Sequence, residues 1–243
     1  MATYQKAMQL RTQFKWSAKR IARFLNINSW TVGCWVYDGC RPDSGINIPN
    51  FEDVKTLSYI VGVLEGDGSK GERSVTLSVK SQEFAKEFAQ ALETIHIPPK
   101  WSNYHLRTGG LIWRVFGCSK ILSEWYGKLD IEKFALASDE TARMFLKGFF
   151  ESEGTFDSKR LRIHIYNSDV KRIEITTKCL ERLGFRVAID HVKSVGRKQR
   201  YTVRILGGGN EAKRFLAIIK PCIKSDKRNC ADEKRKEQGM KEA

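Results

Sequence analysis

Asp67 and Glu153 stand at matching places in two copies of one pattern. The first copy is Ile60-Val61-Gly62-Val63-Leu64-Glu65-Gly66-Asp67-Gly68; the second is Leu146-Lys147-Gly148-Phe149-Phe150-Glu151-Ser152-Glu153-Gly154. Each is an apolar helical run with small residues four apart, ending in two acids and a glycine. The helix macrodipole disfavours acids at a C-terminus by roughly 0.3–1 kcal/mol each. A chain that accepts this twice has a use for the carboxylates, and holding a divalent cation is the simplest. Two such helices packed side by side would bring Asp67 and Glu153 together. Close carboxylates repel unless a cation or a proton lies between them. Hard Mg2+ suits carboxylate and water ligands, and such centres drive phosphodiester cleavage by activating water and stabilising the leaving oxygen.

The elements that must position these acids are legible in the same residues. Gly62 and Gly66, like Gly148 and Ser152, lie one turn apart on a helix face and permit close backbone approach. The glycines after the acids are expected to end both helices at one level. With these features the repeated element resembles the LAGLIDADG motif of homing endonucleases, in the single-chain form with two motifs, over roughly residues 54–222. The resemblance implies an α/β (α+β) fold of two pseudo-symmetric αββαββα halves packed through paired motif helices, acting as a monomer. It implies that Asp67 and Glu153, at the eighth motif position, bind Mg2+ (or Mn2+) and direct DNA hydrolysis, with Gly66 and Ser152 completing the metal set. Glu65 and Glu151, at the variable sixth position, receive no catalytic role. Lys80 stands where the family often carries a basic residue near the scissile phosphate, suited to balancing transition-state charge. Two departures weaken the match: the second copy has Asn167-Ser168 at that place, and Val79 stands where a polar residue is common.

Charge agrees with a polyphosphate partner: 43 Lys+Arg face 28 Asp+Glu, a formal charge of +15. With 41% hydrophobic residues the chain can build a core. Six cysteines are scattered without a C-x-x-C pair, which argues against a zinc site or disulfide framework and for reduced thiols in a cytoplasmic setting. No apolar run reads as a membrane span or signal core.

Five segments follow from the patterning. Residues 1–43 resemble a helix-turn-helix: an apolar helix ending Ile21, Phe24, Leu25, a turn at Asn26-Ile27-Asn28, then a helix capped by Ser29 and ended by Gly39 and Pro42. Ser29, Trp30, Thr31, Gly33 and Cys34 are its candidate readers, while Val32, Trp35 and Val36 pack inside. Residues 44–54 read as a mobile linker, 55–135 and 136–222 as the two repeats, and 223–243 as a charged tail. Within each repeat a motif helix is followed by a turn, a strand, a helix, two strands and a helix. Gly207-Gly208-Gly209 lacks a following Lys-Ser/Thr and reads as a turn.

Strand alternation marks the working surface. Val75, Leu77 and Val79 oppose Ser74, Thr76, Ser78 and Lys80; Leu161, Ile163 and Ile165 oppose Arg160, Arg162, His164 and Tyr166; Tyr201, Val203 and Ile205 oppose Arg200, Thr202 and Arg204. The apolar sets pack under helices, and the polar, basic sets suit the major groove of double-stranded DNA. Arg114, Arg107, His105 and Asn103 are expected to extend that face. The sequence thus points to a site-specific double-strand endonuclease with a long, imperfectly symmetric target. A non-cleaving transcription regulator on the same scaffold and an intron RNA maturase are the alternatives.

Overall fold

Three short helices open the chain: α1 (Ala2–Phe14), α2 (Ala18–Leu25) and α3 (Ser29–Val36). Ser17 caps α2 by accepting from the Arg20 amide, and Asn26 turns the chain at φ 52°. Asn28, rather than Ser29, caps α3, its side chain accepting from the Trp30 amide at 2.8 Å. An Asx side chain reaches two residues ahead, which frees Ser29 to begin the helix. Ala7, Leu10, Ala18, Ile21, Ala22 and Val32 form the core of this unit, with Trp35 and Val36 packed against it. It spans residues 1–46, and residues 47–243 make a second unit. The computed structural model describes residues 2–39, 47–192 and 199–223. The expected stop at Pro42, the first part of the linker and the tail beyond Ile223 lie outside them.

The second unit contains two copies of one topology. The first runs α4 (Val54–Glu65), β1 (Gly68–Lys70), β2 (Ser74–Val79), α5 (Gln82–Thr94), β3 (Pro99–His105), β4 (Leu111–Cys118) and α6 (Lys120–Lys128). After α7 (Ile131–Ala135) the second runs α8 (Asp139–Glu153), β5 (Gly154–Asp157), β6 (Arg162–Asn167), α9 (Val170–Arg182), β7 (Val187–Val192), β8 (Arg200–Ile205) and α10 (Gly208–Ile219). The sheets are antiparallel, in the orders β1-β2-β4-β3 and β5-β6-β8-β7. Val75, Leu77 and Val115 pack on Phe84, Phe88 and Leu92; Ile163, Ile165 and Val203 pack in a second cluster with Ile173, Leu180 and Phe215. Asn47 ties the start of this unit down, its amide donating to the Cys118 carbonyl at 2.7 Å and its own carbonyl accepting from Ser119 Oγ.

The halves join where α4 meets α8. A Cβ at Gly62 would lie 2.1 Å from the Phe145 carbonyl oxygen, and one at Gly148 2.3 Å from that of Tyr59. One at Gly66 would lie 2.2 Å from Ser152 Cβ. Backbone therefore touches backbone, as the small-residue spacing requires. Ser58 Oγ adds a buried hydrogen bond to the Thr141 carbonyl at 2.8 Å. The helix ends differ from expectation: α4 stops with Gly66 as its cap, whereas α8 continues through Glu153 to Gly154. Asp67 therefore sits on the turn into β1, two residues beyond the last helical residue.

Alanine for glycine inside a helix ordinarily gains about 1 kcal/mol. At Gly148 the methyl meets backbone that cannot yield, so Gly148→Ala should lose about 3 kcal/mol, the upper end of overpacking penalties. Urea unfolding monitored by circular dichroism checks the sign. Gly33→Ala in α3, where nothing lies within 4 Å of the added carbon, is the control and should be neutral or stabilising.

Candidate metal centre and nucleic-acid interface

Both eighth-position acids lie at the α4–α8 end. The Cγ of Glu153 is 3.6 Å from the Cβ position of Gly66, the residue before Asp67. Asp67 is exposed and Glu153 half-buried, so a cation could reach both. Their oxygens are hard donors of the kind Mg2+ and Mn2+ take, and Glu153 lies against the strand of chain that presents Asp67. Asn167, buried at the end of β6, donates from Nδ2 to Glu153 Oε1 at 3.1 Å, and its Oδ1 accepts from the Asp169 amide at 2.8 Å. Glu153 is thereby oriented by a fixed amide. Val79, the matching residue in β2, has no polar group to offer Asp67. Lys80 follows β2 and is exposed; Ser168 occupies the equivalent place after β6. Glu153, Tyr166, Asn167, Ser168, Arg172, Gln199 and Arg200 line an open cavity of about 380 Å3.

The sixth-position acids are buried in the joint region, and Glu65 ties the halves together. Glu65 is 6% exposed, accepts from the Tyr126 hydroxyl on α6 and pairs with Arg172 Nε on α9 at 3.0 Å. Glu151 is 2% exposed and accepts from the Cys222 amide. Its second oxygen and that of Glu87 have no hydrogen-bond partner among the described residues. Glu87, Glu151 and Cys222 bring one ligand atom each within 4.8 Å of one another. That group contains neither Asp67 nor Glu153, and Lys147 already pairs with Glu87.

The strand registers place the expected surface residues as follows, with several corrections. Cross-strand partners share a face, so Ser74, Thr76 and Ser78 lie with Cys118, Phe116 and Arg114. Thr76 at 9% and Thr202 at 7% exposure are walled in at the sheet centres and present little surface. Arg160 lies in the turn before β6 rather than on the strand, and Arg107 is exposed in the β3–β4 turn. Asn103 and His105 pair with Trp113 and Leu111, which places them on the face opposite Arg114. Lys100, Ser102 and Tyr104 take the open face instead. The sequence hid this because Trp101 and Tyr104 put aromatic residues on both faces of β3, erasing the alternation. Arg204 is bonded to Asp190 by both Nε and NH2, so it is half-neutralised and fixed. Arg200 lies over the Tyr166 ring at 4.3 Å, and Arg114 over Phe116 at 5.7 Å. Partial burial, then Arg204 and Arg162, push His164 below the usual histidine range, leaving it neutral at pH 7. In the first unit Ser29 and Trp30 are exposed, Trp30 at 77%, and Thr31 is half-buried.

A LAGLIDADG-like domain model matches residues 140–220. The homing endonuclease I-DmoI of Desulfurococcus mucosus is 29% identical over 152 residues, 58% of this chain and 77% of that protein. Residues 140–220 are thus a LAGLIDADG-like domain, and the first half repeats its topology. An uncharacterized protein of Methanocaldococcus jannaschii is 26% identical over 182 residues, 72% of this chain. This chain spans 66% of that relative's length and 59% of a second uncharacterized relative from the same organism. Among solved structures, I-DmoI in complex with DNA and Mn superposes with a TM-score of 0.53 at 21% identity, covering 69% of this chain and 97% of that one. Full-length WhiA from Thermatoga maritima gives 0.56 at 15% identity, covering 78% and 63%. Both show the same fold. Among the described residues no helix is long and apolar enough to cross a membrane.

Glu151 yields a pH prediction. Burial pushes its carboxyl above the ordinary value of 4.5, against the opposing hydrogen bonds from Cys222. The folded chain then binds this proton more tightly than the unfolded chain, so its contribution to stability falls as pH rises above 4.5 through the folded value. Glu151→Gln keeps the acceptor for the Cys222 amide and removes that slope. Thermal unfolding across this pH range should show the variant gaining on the parent as pH increases.

Proposed function

We propose that this LAGLIDADG-like protein is a site-specific endonuclease that hydrolyses double-stranded DNA with Mg2+ or Mn2+, one phosphodiester in each strand, and acts as a monomer. The observation that carries the reading is the meeting of Glu153 with the Gly66-Asp67 turn at the end of two interlocked helices. Asp67 and Glu153 would hold the metal, with Gly66 and Ser152 beside them, and bound metal supplies charge neutralisation and water activation. Asn167 keeps the Glu153 carboxylate in one orientation. Lys80 offers positive charge to the phosphate of one strand. Ser78, Arg114, Arg162, His164, Tyr166 and Arg200 would meet the bases and backbone of a long duplex, and the excess of basic residues favours that partner electrostatically. Ser29, Trp30 and Thr31 would add contacts from the helix-turn-helix.

A second reading, a DNA-binding regulator that does not cut, is favoured by Ser168 and Val79, where the scaffold's polar and basic groups are missing. One experiment separates them. A duplex site selected for binding in Ca2+ from a random library is placed in a supercoiled plasmid and incubated with the full chain in Mg2+. Linear plasmid that disappears in Asp67→Asn, while binding persists, supports the endonuclease. Tight binding with intact plasmid at every Mg2+ and Mn2+ concentration supports the regulator.

A further inference from the structure

Arg172 sits in the first turn of α9 and lines the cavity that holds Glu153, Asn167 and Ser168. Its Nε faces the buried carboxylate of Glu65 at 3.0 Å and the exposed one of Asp169 at 3.8 Å. Nε makes the closest approach to both acids. A guanidinium braced from its Nε side, 34% exposed and on the cavity wall, suits bidentate capture of a phosphodiester through its terminal nitrogens. Glu65 comes from the first motif and Arg172 from the second half, so one motif's acid aims a cation beside the other motif's acid. Arg200 also lines the cavity, but it lies over Tyr166 on the sheet.

We propose that Arg172 is the phosphate-binding cation of the second half, supplying the positive charge that Ser168 does not. The two halves would then hold their phosphates by different means, Lys80 in one and an Arg172 braced by Glu65 in the other. The proposal rests on the endonuclease reading for its catalytic consequence, and on phosphate contact alone for its binding consequence.

The test uses the full chain and the selected duplex. Arg172→Met is combined with Glu65→Gln, so that no buried carboxylate loses its partner; Arg172→Lys, which keeps the charge without the fork, is the second variant. Binding is measured in Ca2+ against salt. Losing one phosphate contact should make the slope of log K against log salt shallower by about 0.9 in the double variant, with the lysine variant near the parent. In Mg2+, with the strands separately labelled, cleavage of one strand should fall on the order of a hundredfold, leaving nicked plasmid. Lys80→Met should slow the opposite strand. An unchanged salt slope overturns the proposal whether or not the chain cuts. So does a parent that cuts while the double variant slows both strands equally, since that is a loss of fold or of the shared centre. A parent that cuts neither strand overturns the endonuclease reading, and the salt slope then decides the phosphate contact by itself.

Discussion

Backbone contact between α4 and α8, at Gly62 against Phe145 and Gly148 against Tyr59, sets the separation on which the candidate centre depends. A carboxylate side chain has a fixed reach of a few bonds. Helices held apart by ordinary side chains would leave Asp67 and Glu153 too distant to share a cation. The glycines remove that obstacle, and the Ser58–Thr141 hydrogen bond supports the same interface. The apolar residues flanking the contact, Ile60, Val63, Phe145 and Phe149, tie each helix into its own half. The site and the joint between the halves are therefore one structure.

The sixth-position acids show how a charged group can serve that joint. A buried carboxylate is unfavourable unless it is hydrogen-bonded or paired. Glu65 meets this with Tyr126 and with Arg172 from the opposite half. Glu151 meets it less completely, with one oxygen on the Cys222 amide and the other unpartnered among the described residues, and its proton affinity rises accordingly. The pattern repeats in sequence, but the neighbours differ. One acid is paired and places an arginine; burial pushes the other toward its neutral form.

Much of this was legible in the residues because short-range rules apply to them. Small residues four apart foretold the close helix contact, and strict alternation in β2 and β6 foretold which faces are apolar. Where the rules thin out, the expectations failed. Strands β1 and β5 have three and four residues, too few to display a period. Gly66 ended α4 before Gly68 could, since either glycine is competent as a cap. Strand β3 carries aromatics on both faces, so its register came only from pairing with β4. Asp190 is distant in sequence from Arg204, and nothing local announces that the two neutralise each other. Arg172 was invisible for the same reason, because its meaning depends on Glu65 more than a hundred residues earlier.

The asymmetry of the halves follows from the linear chain. A homodimer built on this topology would place identical groups beside both acids. Here Asn167 orients Glu153 while Val79 offers Asp67 nothing polar, and Lys80 is answered by Ser168. Each change would be a defect if repeated twice by symmetry. In a single polypeptide one half can supply orientation where the other supplies charge, provided both acids still meet at one helix joint. On the endonuclease reading, the two strands of the duplex then encounter different surroundings, and an imperfectly symmetric target becomes the natural partner of an imperfectly symmetric protein.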